Sequence, residues 1–101
     1  LTHSNGMWAR VASFEGTDVQ RMRAEARRPP DEIPEEFRGF LNLVDEESGR
    51  QLFITLFDSR EAIEATEPWF ERLGDQIPEE LRGRRVSKEY WEVTGGIIQL
   101  G

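Results

Sequence analysis

Cysteine is absent from this 101-residue chain, and histidine occurs once, as His3. Without thiols there can be no disulfide and no thiol nucleophile, a composition that suits a reducing cytoplasm. So few histidines leave no Ser/His/Asp set and no zinc-ligand spacing, so no metal site is expected. A glycine-rich phosphate loop and a nucleophile elbow are also missing. No apolar run approaches the ~18 residues of a membrane span. Positive charge is scarce: 13 Lys and Arg stand against 20 Asp and Glu, a formal charge of −7. Phosphate backbones and anionic lipid surfaces attract the opposite sign, which disfavours nucleic acid and membranes as partners. Hydrophobic residues make up only 37% of the chain. One domain of this size then has a thin core, and burial against a second copy is expected.

What the chain does have is an internal repeat. Asp31-Glu32-Ile33-Pro34-Glu35-Glu36-Phe37-Arg38-Gly39 returns 44 residues later as Asp75-Gln76-Ile77-Pro78-Glu79-Glu80-Leu81-Arg82-Gly83, with seven of nine positions identical. Two copies are too few for a solenoid but suffice for one domain of two similar halves. The same shift lays Met7–Phe14 on Gln51–Asp58, both rich in aromatic and β-branched residues as strands are. Thr17 or Asp18 can cap a helix bearing Val19, Met22 and Ala26. Ser59 can cap a second one with Ala62, Ile63, Thr66, Trp69, Phe70 and Leu73. Pro68 predicts a kink or break in that second helix, Gly74 its end, and Pro29-Pro30 the end of the first. Pro34 and Pro78 fit the first turn of short helical pieces. Phe40–Asp45 and Arg84–Val93 read as strands, and residues 45–50 as a hairpin link.

The order β-α-β, hairpin, β-α-β predicts an α+β, ferredoxin-like antiparallel sheet of order 4-1-3-2 with both helices on one face. Residues 7–93 form this core. Residues 1–6 read as a disordered or added end before a possible start at Met7, and 94–101 as a tail with a small apolar end. Trp8, Ala12 and Phe14 alternate with Met7, Ala9 and Val11, and Leu52, Ile54 and Leu56 with Phe53, Thr55 and Phe57. Strands apolar on both sides need cover on both sides, and a chain this short has no spare element to supply it. A second copy packed through a two-fold axis is the expected cover.

Met7-Trp8-Ala9-Arg10-Val11, Phe37-Arg38-Gly39-Phe40-Leu41 through Val44-Asp45, Gly49-Arg50 and the run Ile54–Ala62 resemble small actinobacterial proteins of the dimeric α/β-barrel superfamily, close to antibiotic-biosynthesis-monooxygenase-like domains. The resemblance spans roughly residues 7 to 93. It implies a homodimer whose two sheets form a barrel, with a pocket between sheet and helices, and an activity that needs no cofactor. The superfamily's haem-degrading members use a strand Asn, a helix Trp and a helix His. Here Thr66 and Gln76 stand near the latter two places, which argues against haem.

Arg10 interrupts an apolar central strand. It could clamp a carboxylate or enolate oxygen, or form an ion pair with Glu89 or Glu92 on the fourth strand. Asn42 and Thr55 could orient a ligand oxygen, or be an exposed edge residue and a good strand former. Trp8, Trp69, Phe70, Tyr90 and Trp91 could wall a site for a flat aromatic molecule, or pack a core and an interface. The paired carboxylates Glu35-Glu36 and Glu79-Glu80 fit helix starts, and their duplication speaks for structure. Two functional readings follow. One is a binder of a small flat apolar molecule acting as a cofactor-independent monooxygenase, with Tyr90 and Arg10 as proton acceptor and oxyanion donor. The other is a non-catalytic binding or stress-associated dimer with no open active site.

Overall fold

A computed structural model describes residues 7–25 and 33–96. In it β1 (Trp8–Glu15), α1 (Val19–Glu25), β2 (Gly39–Asp45), β3 (Arg50–Phe57), α2 (Arg60–Gln76), α3 (Glu79–Arg82) and β4 (Arg84–Glu92) follow one another. The domain is α+β. Its four strands pair antiparallel in the order β2-β3-β1-β4, an arrangement compatible with a ferredoxin-like fold. Each ladder joins a strand of the first half to a strand of the second. The chain's first six residues, the Pro29-Pro30 helix stop, Ala26, Asp31-Glu32 of the first repeat and the apolar tail end fall outside the described residues.

Local chemistry explains the element ends. Asp18 caps α1, its carboxylate accepting from the Arg21 N–H at 3.2 Å, while Thr17 donates its hydroxyl to the Arg82 carbonyl. Ser59 caps α2 by accepting from Ala62 N–H at 3.1 Å. Contrary to expectation, α2 runs unbroken through Pro68. Proline deprives the Glu64 carbonyl of its helical donor, but Glu64 lies on the exposed side, where water can serve it. Gly74 does not end the helix either. Two more residues follow, and the Ile77 N–H closes the last turn on the Gly74 carbonyl. In the hairpin, Gly49 adopts φ +70 and returns its N–H to the Asp45 carbonyl.

The repeated nonapeptide makes the same first hydrogen bond twice: Phe37 N–H to Pro34 carbonyl, and Leu81 N–H to Pro78 carbonyl. Thereafter the copies part. The second continues as α3, with Arg82 and Gly83 N–H groups bonded to Pro78 and Glu79 carbonyls. The first stops after one turn, so the expected helical piece at Pro34 is absent. Arg38 instead turns outward to Asp58 at 2.7 Å. Ile33 is 56% exposed and anchors nothing in the core, whereas Phe37 sits against Phe57, Trp69 and Phe70. Gly83 lies against the first half so closely that a Cβ would meet the Glu15 carbonyl oxygen at 2.2 Å.

The register divides the sheet into two faces. Arg10, Ala12, Phe53, Thr55, Phe57, Asn42 and Tyr90 share one, and Ala9, Val11, Leu41, Leu43, Ile54, Leu56 and Trp91 share the other. α2 lies across the first face, where Phe57 and Thr55 are fully buried. On the second face Leu41, Leu43 and Trp91 are 43%, 45% and 57% exposed. No described helix is long and apolar enough to cross a membrane.

Candidate functional site

The covered face is built around a residue that the motif reading passed over. Glu67 lies one turn after buried Ile63 and one turn before Phe70, so α2 presses its carboxylate onto the sheet. Directly beneath are Arg10 on β1 and its cross-strand partner Tyr90 on β4. The Arg10 guanidinium donates to both carboxylate oxygens, from Nε at 2.9 Å and from Nη2 at 3.1 Å. Tyr90 donates its hydroxyl to Glu67 Oε2 at 2.6 Å, and Lys88 Nζ stands 3.6 Å from Oε1. The Arg10 guanidinium carbon also stands over the Phe70 ring, 3.8 Å from its centre. The Arg10 and Glu67 side chains are 5% and 16% exposed.

This corrects the expected ion pairs of Arg10. Glu89 projects from the opposite face of β4, where it accepts from Trp91 Nε1. Glu92 shares Arg10's face but lies opposite Trp8, farther along the strand. Alternation along β4 therefore denies Arg10 the one carboxylate, and the helix supplies a better one. Burial alone would raise the pKa of Glu67, but the hydrogen bonds from Arg10 and Tyr90, with the charges of Arg10 and Lys88, hold it below the usual carboxylate value. For Tyr90 the raising causes prevail over the opposing charge of Arg10. Burial, the hydrogen bond to the Glu67 carboxylate and its negative charge push the phenol up to about 12. A phenol so poised keeps its proton at neutral pH and is a poor general base.

A second group lies on the same face, nearer β2. The Asn42 Oδ1, both amide atoms of Gln51 and the Thr55 hydroxyl are sealed from solvent without a hydrogen-bond partner among the described residues. Thr55 lies opposite Arg10 on one side and Phe40 on the other, Asn42 opposite Phe53, and Gln51 opposite Val44. Buried polar atoms are nearly always paired, because leaving one unpaired costs about 1–3 kcal/mol. Thr66 shows the ordinary case: its hydroxyl donates back to the Ile63 and Ala62 carbonyls. Around the unpaired atoms stand three rings. Phe53 lies 5.3 Å from Phe40 and 6.1 Å from Phe14. Asn42 thus lies on an edge strand with its oxygen buried, and Thr55 lies inside β3 with its hydroxyl buried.

The remaining candidates divide. Trp8 faces the Arg60 guanidinium at 5.8 Å, with Tyr90 5.4 Å from the same cation. Trp69 packs edge-on against Phe37 and Phe70, each at 5.2 Å. It also borders an open groove of about 520 Å³ with Pro34, Pro68 and Arg72, a groove that Asn42, Gln51 and Thr55 do not line. Trp8, Arg10 and Tyr90 therefore lie on the β1–β4 side of the covered face, Asn42 and Thr55 on its β2–β3 side with Thr55 directly beside Arg10, and Trp69 belongs to a core cluster. Among the described residues no group of three or more acidic or histidine side chains is placed to hold a metal ion. No family model matches the sequence, and comparison with curated proteins finds no match.

Proposed function

We propose that this protein is a homodimer that binds a small, flat, largely apolar molecule and performs no chemistry on it. The observation that supports this most strongly is the inverted polarity of the sheet. Unpaired amides and a hydroxyl are sealed under cover, while leucines and a tryptophan face outward. Each face lacks a complement, and the two complements differ in kind.

For the outward face the complement is a second copy of the chain, packed sheet on sheet about a two-fold axis as in the dimeric α/β barrels that the sequence resembles. Four strands about 4.8 Å apart, with about seven residues each, give a face on the order of 450 Å² in plan, apolar over β2 and β3 and mixed over β4. Its rim carries both signs: Glu15 pairs with Arg84, and Asp45 lies opposite Arg50. Such a rim is complementary to itself when two copies meet. For the covered face the complement is a small molecule resting on Phe53, with Phe14 and Phe40 beside it. The cofactor-free oxygenase reading depends on Arg10 and Tyr90. Both are engaged by Glu67, which favours binding over catalysis. The absence of cysteine keeps a cytoplasmic setting within this reading.

Native mass spectrometry of the full chain tests both halves in one measurement. We expect a dimer carrying a non-covalent mass that denaturation releases. A monomer at tens of micromolar would sink the sheet-on-sheet interface. A dimer that neither carries nor takes up an aromatic probe such as naphthalene would sink the binding site.

A further inference from the structure

We infer that Asn42, Gln51 and Thr55 read one edge of the bound molecule, and that this edge carries a hydrogen-bond donor beside an acceptor, as in a cyclic amide or imide. This assignment rests on the small-molecule reading above and adds the ligand's chemistry to it. Gln51 carries the main part of the argument. It is 1% exposed, and both its amide oxygen and its amide nitrogen lack partners among the described residues. A carboxamide with both atoms free presents a coplanar donor and acceptor, and its natural complement is another amide edge joined by two parallel N–H···O bonds.

The other two groups extend the same pattern. Asn42 Oδ1 requires a donor, and the Thr55 hydroxyl can serve in either sense. Gln51, Phe53 and Thr55 are successive residues on one face of β3, and Asn42 lies opposite Phe53. The polar atoms therefore frame the Phe53 ring, with Asn42 diagonal to both neighbours at about 7 Å, the span of a fused bicyclic. The ring floor selects a flat molecule. The charges nearby select a neutral one, because Arg10, the cation beside Thr55, is already neutralised by Glu67. Entry is from the β2 edge. Phe40, on that edge strand, is the outermost of the three rings and is half exposed.

The test uses the full chain and three probes of one shape: 2-quinolinone, its N-methyl derivative and naphthalene, with affinities read by ligand-observed NMR. We expect 2-quinolinone to bind about tenfold tighter than either analogue, the worth of one or two net hydrogen bonds. In Gln51→Met that preference should fall to near unity while naphthalene binding persists, and Thr55→Val should lower it by a smaller factor. Both variants remove an unpaired buried group and keep its volume, so a thermal midpoint at or above that of the parent confirms intact folding. Equal binding of all three probes to the parent would overturn the edge assignment and leave the flat-ligand reading standing. A preference undiminished in both variants would overturn it as well, showing that these groups serve a structural water only. If none of the probes binds, the flat-ligand reading falls and the edge assignment falls with it.

Discussion

One face of the sheet hides what water would welcome, and the other shows what water would reject. On the face that α2 crosses lie an arginine and the buried polar atoms of Gln51, Asn42 and Thr55, whereas Leu41, Leu43 and Trp91 stand exposed on the far side. The covered face is itself divided. Between Arg10 and α2 the charges are matched: Glu67 accepts three hydrogen bonds and has Lys88 close by. Around Phe53 four polar atoms have no match among the described residues. A satisfied buried charge cluster is architecture, because it fixes how a helix sits on a sheet. An unsatisfied one is a cost, retained where something else gains from it. The contrast therefore moves attention away from the charged residues, which draw the eye in sequence, toward neutral ones.

The sharpest way to break the contrast is to unbalance the matched cluster. Glu67→Ala leaves the Arg10 charge buried without its partner, and we expect a loss of about 3–5 kcal/mol in urea unfolding. On the bare face, Ile54→Lys should leave the folded chain intact but weaken self-association by about 2–3 kcal/mol, read as monomer in sedimentation velocity. The unmatched group should respond with the opposite sign. Gln51→Met removes an orphaned amide, and we expect a gain of about 1 kcal/mol without ligand.

Two titrations sharpen the picture further. Tyr90 is the only tyrosine, so phenolate absorbance reports on it alone. Its midpoint should lie at about 12 in the parent and fall toward the ordinary value of about 10 in Glu67→Gln. Because its pKa is raised by folding, Tyr90 contributes stability below about pH 10 that is lost as pH rises through the folded value. Glu67 behaves in the reverse way. Its pKa is lowered from 4.5, so its contribution is complete above that value and is lost as pH falls through the lower folded one. The parent, but not Glu67→Gln, should therefore lose this increment in acid.

Much of the scaffold was legible in the sequence because alternation, capping residues and the repeat each point to local geometry. The four strands, the Ser59 cap and the one-sided burial of Ile63 and Thr66 follow from such signals. The errors arose where a distant part of the chain decides. Pro68 and Gly74 are helix breakers by type, yet α2 runs past Pro68 with Phe70 packed on Phe57 and Arg10 of the sheet, and ends two residues beyond Gly74. Two near-identical nonapeptides gave a turn in one place and a helix in the other, since only the second leans on Glu15 and Thr17. Glu67 was not read from the sequence because it sits among many carboxylates. Its one distinguishing mark was an acid at an apolar-stripe position. Gln51 carried no mark at all, since the missing partners of a buried amide cannot be seen in one dimension.

The cross-half pairing of the sheet has a consequence for how this chain can come together. β1 and β2 are not neighbours, nor are β3 and β4, so neither half of the repeat owns a single ladder. A nascent first half has nothing to zip against until β3 emerges. Commitment to structure therefore comes late and all at once, through contacts between residues far apart in the chain, the kind that slow folding. By the same logic the two halves, severed in the exposed turn at Glu47-Ser48, should each be unstructured alone and fold on mixing. The molecule is in this sense already a complex of two partners, joined by a hairpin that it does not need.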